Sequence, residues 1–240
     1  MRHEDELSRE QIRLVEQFEA DYNAIDNYLR KSLGSDRQVS FTHLVNQYSE
    51  RHRGWGHGEL LRTIADIRNA IVHGKTEPYR YVAIPTSTIA QQLSNCRDRL
   101  LNPARAIPKF QRSVEILLME ESLAGVLNKI DERDYSQFPV YQEREFRGLL
   151  TENGITRWLA HHVATELSLI ELAEVPVFQV LKKEEHRKNC RFVSRNVPVD
   201  DVRGFFAAQP VLEAVLITAN GNQAERLLGI ATRWDVLQLD

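Results

Sequence analysis

The sequence predicts an α+β protein in two parts: a helical bundle over about residues 1–104 and a duplicated unit of strands and helices over about residues 105–240. In the first part, apolar residues recur every three or four positions, which is the spacing of an amphipathic helix. After about residue 107, short apolar strands alternate with helices. This second part contains an internal repeat, with copies over about residues 105–162 and 176–240.

Composition and charge restrict the class of protein. Of the 240 residues, 42% are hydrophobic and 27% charged, which is enough apolar material for packed cores. A formal net charge of −3 disfavours a strongly basic nucleic-acid clamp. Because Cys96 and Cys190 lie far apart, no disulfide scaffold or cysteine-built zinc site is expected. No apolar stretch reaches the ~20 residues of a membrane span and no secretory signal is seen, so we expect a cytoplasmic protein without a membrane partner.

Four helices are predicted in the first part. The apolar stripe of the first helix consists of Leu14, Phe18, Tyr22, Ile25 and Leu29. Gly34 follows it as a stop, and Ser40 is a suitable N-cap for the second helix. The third helix is expected to end at Gly74, and the fourth to run from Thr86 to Leu101.

Two alignments define the repeat of the second part. Residues 119–126 align with residues 195–202, and residues 138–141 align with residues 214–217, both at an offset of 76. After a loop five residues longer in the second copy, residues 148–151 align with residues 229–232. Each copy is therefore predicted to run strand, helix, strand, strand, helix.

The repeated segments resemble CBS domains, which pair to form a Bateman module. The first copy has Ser-Gln-Phe-Pro-Val at residues 136–140 and Phe-Arg-Gly-Leu-Leu-Thr at residues 146–151. The second has Glu-Ala-Val-Leu-Ile at residues 213–217 and Leu-Gly-Ile-Ala-Thr-Arg-Trp-Asp at residues 228–235. The resemblance covers roughly the C-terminal 130 residues and implies a protein that dimerises.

In the CBS family, a Gly-h-h-Thr/Ser-x-x-Asp turn between a strand and a helix binds adenosine nucleotides. The second copy fits this pattern with Gly229, Thr232 and Asp235. The resemblance implies that the threonine and the amides of the helix N-terminus hold a phosphate, while the aspartate accepts hydrogen bonds from the ribose. Arg233 would add a cation for further phosphates. The alternative is that the threonine and the aspartate only cap their helix.

The first copy departs from this pattern, because Thr151 is present but Gly154 stands where the aspartate belongs. We therefore expect one competent site, in the second copy, and one degenerate site. The expected ligand is an adenine nucleotide (AMP, ADP or ATP) that regulates the protein. The other residues predicted to contact it are Arg195, Asn196, Ala214 and Leu216.

The segment Arg68-Asn69-Ala-Ile-Val-His73 resembles the Arg-[Asn/Asp/His]-x-x-x-His motif of HEPN ribonucleases, which are dimeric, metal-independent endoribonucleases. Asn69 and His73 share a helix face, whereas Arg68 lies ~140° around the helix from His73, so a second copy is needed to complete a site. The resemblance implies that His73 transfers a proton during 2′-hydroxyl attack and Arg68 stabilises the phosphorane, leaving a 2′,3′-cyclic phosphate. Alternatively, both are cations favoured at a helix C-terminus.

Two cationic segments accompany these motifs. Arg51, Arg53 and Trp55 are predicted to contact RNA, unless their loop is only a polar connection. No metal site is predicted, because His52 and His57 lack a third ligand at a known spacing. Residues 182–195 carry a net charge of +4 and form either a solvated face or a segment that reaches the nucleotide or RNA.

Together, these features predict a homodimeric, nucleotide-regulated endoribonuclease, a hydrolase that needs no cofactor. Nucleotide binding would shift the bundle dimer between two packings, provided the ligand binds them with different affinity. One alternative is a non-enzymatic adenine-nucleotide sensor whose helical part dimerises or docks a partner. The other is an RNA-binding protein that does not cleave RNA.

Overall fold

The structure, a computed structural model, describes residues 8–73, 83–133, 135–165, 172–184 and 188–239; the side chains of residues 72, 73 and 163–165 are outside this description. The chain forms two compact units, Met1–Ala104 and Arg105–Asp240. The first is helical and the second contains two small sheets with helices. None of the helices in the described ranges is long and apolar enough to span a bilayer.

The described residues of the first unit form four helices: α1 (Arg9–Leu33), α2 (Phe41–Arg51), α3 (Gly58–His73) and α4 (Ser87–Leu101). Three predicted ends are confirmed. Gly34 adopts a left-handed conformation with a φ of 66° after α1, which a residue without a Cβ tolerates best. The hydroxyls of Ser40 and Thr86 accept backbone N–H groups at the starts of α2 and α4. The expected stop at Gly74 lies outside the described residues.

The core of this unit follows the apolar stripes of the four helices. In α1 the buried positions include Phe18, Tyr22, Ile25 and Leu29, as predicted, although Val15 rather than Leu14 is fully buried at the N-terminal end. In α2 the buried face consists of Phe41, Leu44, Val45 and Tyr48. The helical periodicity of the sequence therefore identifies the packed faces, because each face is continuous along one helix.

The second unit begins with α5 (Ala106–Lys109) and contains two similar halves. The first half comprises β1 (Leu117–Leu118), α6 (Leu123–Arg133), β2 (Gln137–Gln142), β3 (Glu145–Thr151) and α7 (Glu152–Thr165). After α8 (Val177–Leu181), the second half comprises β4 (Cys190–Ser194), α9 (Val199–Ala208), β5 (Ala214–Thr218), β6 (Gly229–Thr232) and α10 (Arg233–Leu237). In each half the first strand runs parallel and the third antiparallel to the second strand, so the predicted duplication is confirmed.

The strand register corrects one predicted alignment. Gln137 pairs with Thr151 in the first sheet, and Ala214 pairs with Thr232 in the second. Gln137 is therefore the counterpart of Ala214, at an offset of 77 rather than 76, and the alignment of Phe138 with Ala214 is wrong. The correction matters because a slip of one residue moves a side chain to the opposite face of a sheet.

The segments that precede the two halves are exchanged between them. Ala106 and Phe110, which come before the first half, are buried in the core of the second half. Val177 and Val180 of α8, which come before the second half, are buried in the core of the first. Each half is therefore built from two stretches of chain, which linear boundaries at about 105–162 and 176–240 do not show.

A third apolar layer lies between the two sheets. Its buried members are Leu149 of β3, Ala214 and Leu216 of β5, and Ile230 of β6. Since strand β6 leads directly into α10, this layer fixes the position of the turn at Thr232.

Candidate functional site

The turn from β6 into α10 is held by a reciprocal cap between Thr232 and Asp235. The Asp235 carboxylate accepts the Thr232 backbone N–H and the Thr232 hydroxyl, each at 2.7 Å. The Thr232 oxygen in turn accepts the backbone N–H of Asp235 at 3.4 Å. The structure thus brings these two predicted ligand residues together, and it also shows the capping arrangement that was the alternative interpretation.

Arg112 is a third member of this site, and the sequence analysis did not identify it. Its guanidinium donates to the Ile230 carbonyl from Nε at 2.9 Å and from Nη2 at 2.6 Å, and it forms an ion pair with Asp235. Burial acts to raise the pKa of Asp235, but the hydrogen bonds from Thr232 and Arg112 outweigh it, so the pKa lies below its ordinary value. No spacing motif marks Arg112, because its position depends on the exchange of the α5 segment.

A cavity of about 370 Å³ opens beside this turn. Its lining includes one cation, Arg112, and three carboxylates, Glu115, Glu152 and Asp235. Trp234, whose side chain is 68% exposed, also lines it. Glu115 is ion-paired with Lys129 and Arg133, but Glu152 and Asp235 still provide more negative charge than Arg112 balances. The cavity therefore suits a ligand with hydroxyl donors better than a polyphosphate.

A larger cleft of about 940 Å³ shares the segment Arg112–Ser113–Val114 with this cavity. Its lining includes the two exposed cations Arg144 and Arg226, from the β2–β3 turn and the loop before β6, in addition to Arg112. Two carboxylates, Glu143 and Glu225, also line it. Because cations outnumber carboxylates, this cleft is the more favourable of the two for phosphate groups.

The structure does not place Arg233 in the cavity, contrary to the prediction. Its guanidinium donates to the carbonyls of Pro210 at 2.8 Å, Leu212 at 3.0 Å and Phe206 at 3.3 Å. These bonds hold the connection between α9 and β5, so the side chain is directed to backbone carbonyls and not to a ligand.

Gly229 also has a role other than the predicted one. A Cβ at this position would lie 2.2 Å from the backbone oxygen of Phe110, so the glycine allows the exchanged segment to approach β6. Ala214 and Leu216, predicted as ligand contacts, are fully buried between the two sheets. Neither side chain is open to a ligand in this arrangement.

Arg195 and Asn196, the last two predicted contacts, lie in the exposed turn after β4. Their backbone carbonyls accept the Ile107 N–H at 3.1 Å and the Arg105 guanidinium at 2.8 Å. They line neither the 370 Å³ cavity nor the 940 Å³ cleft. Arg195 and Asn196 therefore contact the exchanged α5 segment and not the Thr232 turn.

The corresponding turn of the first half contains a carboxylate from elsewhere in the chain. The Thr151 N–H donates to Glu184 Oε2 at 3.0 Å, and its hydroxyl lies 3.1 Å from Glu184 Oε1. The Thr151 oxygen accepts the Gly154 N–H at 3.1 Å. Glu184, which follows α8, thus binds Thr151 as Asp235 binds Thr232. The missing aspartate at position 154 was the one sequence feature that pointed to an unusual arrangement here.

In the helical unit, the three residues of the HEPN-like motif lie in the last two turns of α3. The Arg68 guanidinium lies 5.3 Å from the centre of the Tyr22 ring, an interaction that gives this arginine a packing role. Burial raises the pKa of Tyr22 to about 12, against the lowering effect of Arg68. Asn69 is exposed, and His73 is the last residue of the helix, with its side chain outside the described part.

The predicted RNA contacts between α2 and α3 divide into two groups. Arg51 and Arg53 are exposed. Trp55, however, is only 7% exposed and packs edge-on against Tyr48, with ring centroids 4.8 Å apart. A buried indole has no free face for stacking with a base, so the prediction for Trp55 is wrong. The large apolar area of the ring explains why the loop folds over it.

Comparison with known proteins gives structural similarities only. No family model matches the chain, and no curated protein matches it. Three similar solved structures each align with 57% of this chain at 18% identity. They are a hemolysin-like protein containing a CBS domain from Oenococcus oeni (90% of that chain, TM-score 0.42), a hexameric CBS-CP12 protein from bloom-forming cyanobacteria (68%, 0.44) and a conserved CBS domain protein of unknown function from Thermoplasma acidophilum (70%, 0.43).

Proposed function

We propose that this protein is a regulatory protein whose C-terminal unit, a CBS-type pair, binds an adenine nucleotide beside Thr232 and Asp235. The observation that carries the proposal is the convergence of Thr232, Asp235 and Arg112 on a cavity that adjoins an arginine-lined cleft. The duplicated topology supports the assignment to this kind of module.

The charges of the two cavities suggest how a nucleotide would lie. The ribose hydroxyls donate to Asp235, the carboxylate that Thr232 and Arg112 already orient. The phosphates lie toward Arg112, Arg144 and Arg226, away from the three carboxylates of the smaller cavity. This arrangement replaces Arg233 as the phosphate contact, since its guanidinium is bound to backbone carbonyls, and it does not use Arg195, which lines neither cavity.

Titration calorimetry with AMP, ADP, ATP and S-adenosylmethionine tests this proposal. We expect Asp235→Ala and Arg112→Ala each to weaken binding of the preferred ligand at least tenfold, because each removes a charged hydrogen-bond partner. Asp200→Ala is the matched control, because Asp200 also lies in the first turn of a helix but does not line the cavity. Unchanged affinity in Asp235→Ala would show that the site is wrong.

We also propose, as a second function, that the helical unit is an endoribonuclease that acts as a homodimer. The observation that favours it is that α3 presents the exposed Asn69 and the partly exposed Arg68 near a terminal His73. The cation–π contact of Arg68 with Tyr22 would hold the guanidinium in place for phosphate binding. A second copy would supply the other half of the cleft, because Arg68 and His73 lie on different faces of one helix.

The nuclease proposal is tested by incubating the protein with structured and single-stranded RNA in EDTA, with and without adenine nucleotides. Cleavage should leave cyclic-phosphate ends and should be lost in His73→Ala. Arg68→Ala should reduce the rate by ~10²–10³, the usual effect of removing a stabilising donor. His43→Ala, an exposed histidine of α2, should retain full activity. RNA binding without cleavage, or a monomeric mass by light scattering, would contradict the nuclease.

A further inference from the structure

We propose that Glu184 is a built-in ligand of the first half, which occupies the Thr151 turn and closes it to external anions and nucleotides. Its carboxylate receives the backbone N–H and the hydroxyl of Thr151, the same two donors that Asp235 receives from Thr232 in the second half. The difference is that Asp235 lies three residues after its threonine, whereas Glu184 is 33 residues from its own.

Gly154 makes this occupation sterically feasible. A Cβ at position 154 would lie 2.1 Å from Glu184 Oε2 and 2.8 Å from its Cδ, which is too close for any side chain to share the space. An aspartate at that position would also bring two carboxylates to one threonine, which their repulsion disfavours. The Glu184 carboxylate can therefore occupy the turn only because position 154 has no side chain.

The first turn is closed where the second is open. Thr151 is 3% exposed and its hydroxyl is used by Glu184 and by the Gly154 N–H. Glu184 lines a cavity of about 210 Å³ whose lining does not include Thr151 and which is smaller than the ~300 Å³ of ordinary ligand pockets. An anion or a nucleotide can therefore reach Thr151 only by displacing Glu184.

The chain also anchors the segment that carries Glu184. The Lys182 ammonium lies 5.1 Å from the centre of the Phe178 ring in α8. Leu181, the last residue of α8, packs over Gly148, with its Cδ1 3.1 Å from the position a Cβ would take. These contacts place Glu184 beside the Thr151 turn as a consequence of the docking of α8 on the first half.

The geometric part of the proposal is tested with glycine variants in two backgrounds. Gly154→Ala and Gly125→Ala both place an alanine at the third position of a helix whose preceding Ser or Thr accepts that residue's N–H. A Cβ at Gly125 meets only the Ser122 hydroxyl, at 3.4 Å. In wild type we expect Gly125→Ala to raise the urea midpoint, because alanine favours a helix. Gly154→Ala should lower it, because it expels Glu184.

In the Glu184→Ala background, both glycine variants should raise the midpoint by similar amounts. Gly154→Ala would then lower the urea midpoint in wild type but raise it when Glu184 is absent. A Glu184 side chain that contacted the protein away from the Thr151 turn would not produce this change of sign. Equal stabilisation by Gly154→Ala and Gly125→Ala in both backgrounds would overturn the proposal, because Glu184 would then not occupy the turn.

The closure itself rests on the proposed function and is measured by equilibrium dialysis with AMP and ATP. Wild type should bind one nucleotide per chain. Glu184→Ala/Gly154→Asp, which empties the turn and restores the aspartate that the second half has, should bind two, and the same variant with Thr151→Val should bind one again. One nucleotide in both wild type and Glu184→Ala/Gly154→Asp would contradict the closure. If neither protein binds a nucleotide, the proposed function fails, and the glycine variants alone decide whether Glu184 occupies the turn.

Discussion

The two halves of the C-terminal unit share a topology and a threonine at the same turn, but they obtain the carboxylate for that threonine differently. In the second half, Asp235 comes from the helix that follows Thr232, and Arg112 from the exchanged segment neutralises it. In the first half, the exchanged segment supplies the carboxylate itself, Glu184, to Thr151. The exchanged segments thus contribute side chains of opposite charge to two equivalent turns.

This difference shows that the two halves share a spatial arrangement, a carboxylate bound to the threonine of the turn, and not a sequence motif. A strand-to-helix turn offers a backbone N–H and a hydroxyl, and these donors require an acceptor when they are buried. Any carboxylate that reaches the turn satisfies them. A helical aspartate leaves room for a cation and a ligand, whereas a carboxylate from a distant segment fills the space.

The largest difference between the halves is expected in their cores. Phe138 and Val215 occupy equivalent sheet positions and are both fully buried. Phe138→Ala should lower the free energy of unfolding by ~3–5 kcal/mol, because it leaves a large cavity. Val215→Ala removes two methyl groups and should cost about 2 kcal/mol. Urea unfolding measures the free energy of unfolding of both variants. Equal losses in the two variants would contradict the expected difference between the two cores.

A smaller difference should appear between the two threonines. Thr151→Val keeps the shape of the side chain but removes a buried hydroxyl that binds Glu184 and the Gly154 N–H. We expect a loss of ~1–3 kcal/mol. Thr232→Val should cost only ~1 kcal/mol, the usual value for a helix cap, because Thr232 is partly exposed and water can replace the hydroxyl. If urea unfolding showed a larger loss of stability in Thr232→Val than in Thr151→Val, the first turn would not be the more closed of the two.

The smallest effect concerns pH and the second half alone. The pKa of Asp235 lies below its ordinary value in the folded protein, so its carboxylate stabilises the fold above the unfolded pKa of about 3.9. This contribution is lost as the pH falls through the lower folded pKa. Asp235→Asn should therefore be ~1 kcal/mol less stable than wild type at pH 7, with the difference shrinking as the pH falls through the folded pKa of Asp235.

The control for this titration is Asp200→Asn, in the first turn of α9, which also removes a negative charge at a helix N-terminus. Denaturant unfolding should be followed at several pH values between 7 and 2 for the three proteins. A difference between wild type and Asp235→Asn that stays constant over this range would mean that the carboxylate charge is not responsible.

Local features of the fold were predictable because each depends on residues close together in the sequence. Gly34, Ser40 and Thr86 mark helix ends through their own backbone preference or their own hydroxyl. The turn at Thr232 and Asp235 was predictable for the same reason, since its two partners are only three positions apart in the sequence. Trp55 was misjudged because a glycine-rich loop does not reveal whether its aromatic residue points inward.

The acceptors and cations that complete the two turns were not predictable in this way. Arg112 lies 123 residues from Asp235, and Glu184 lies 33 residues from Thr151, so no spacing rule connects them. Periodicity, caps and the repeat specify the helices, the duplication and the two threonines, because these are short-range properties of the chain. The exchange of α5 and α8 between the halves decides which charge reaches each turn. This exchange is determined by the burial of the apolar faces of α5 and α8 in the opposite cores.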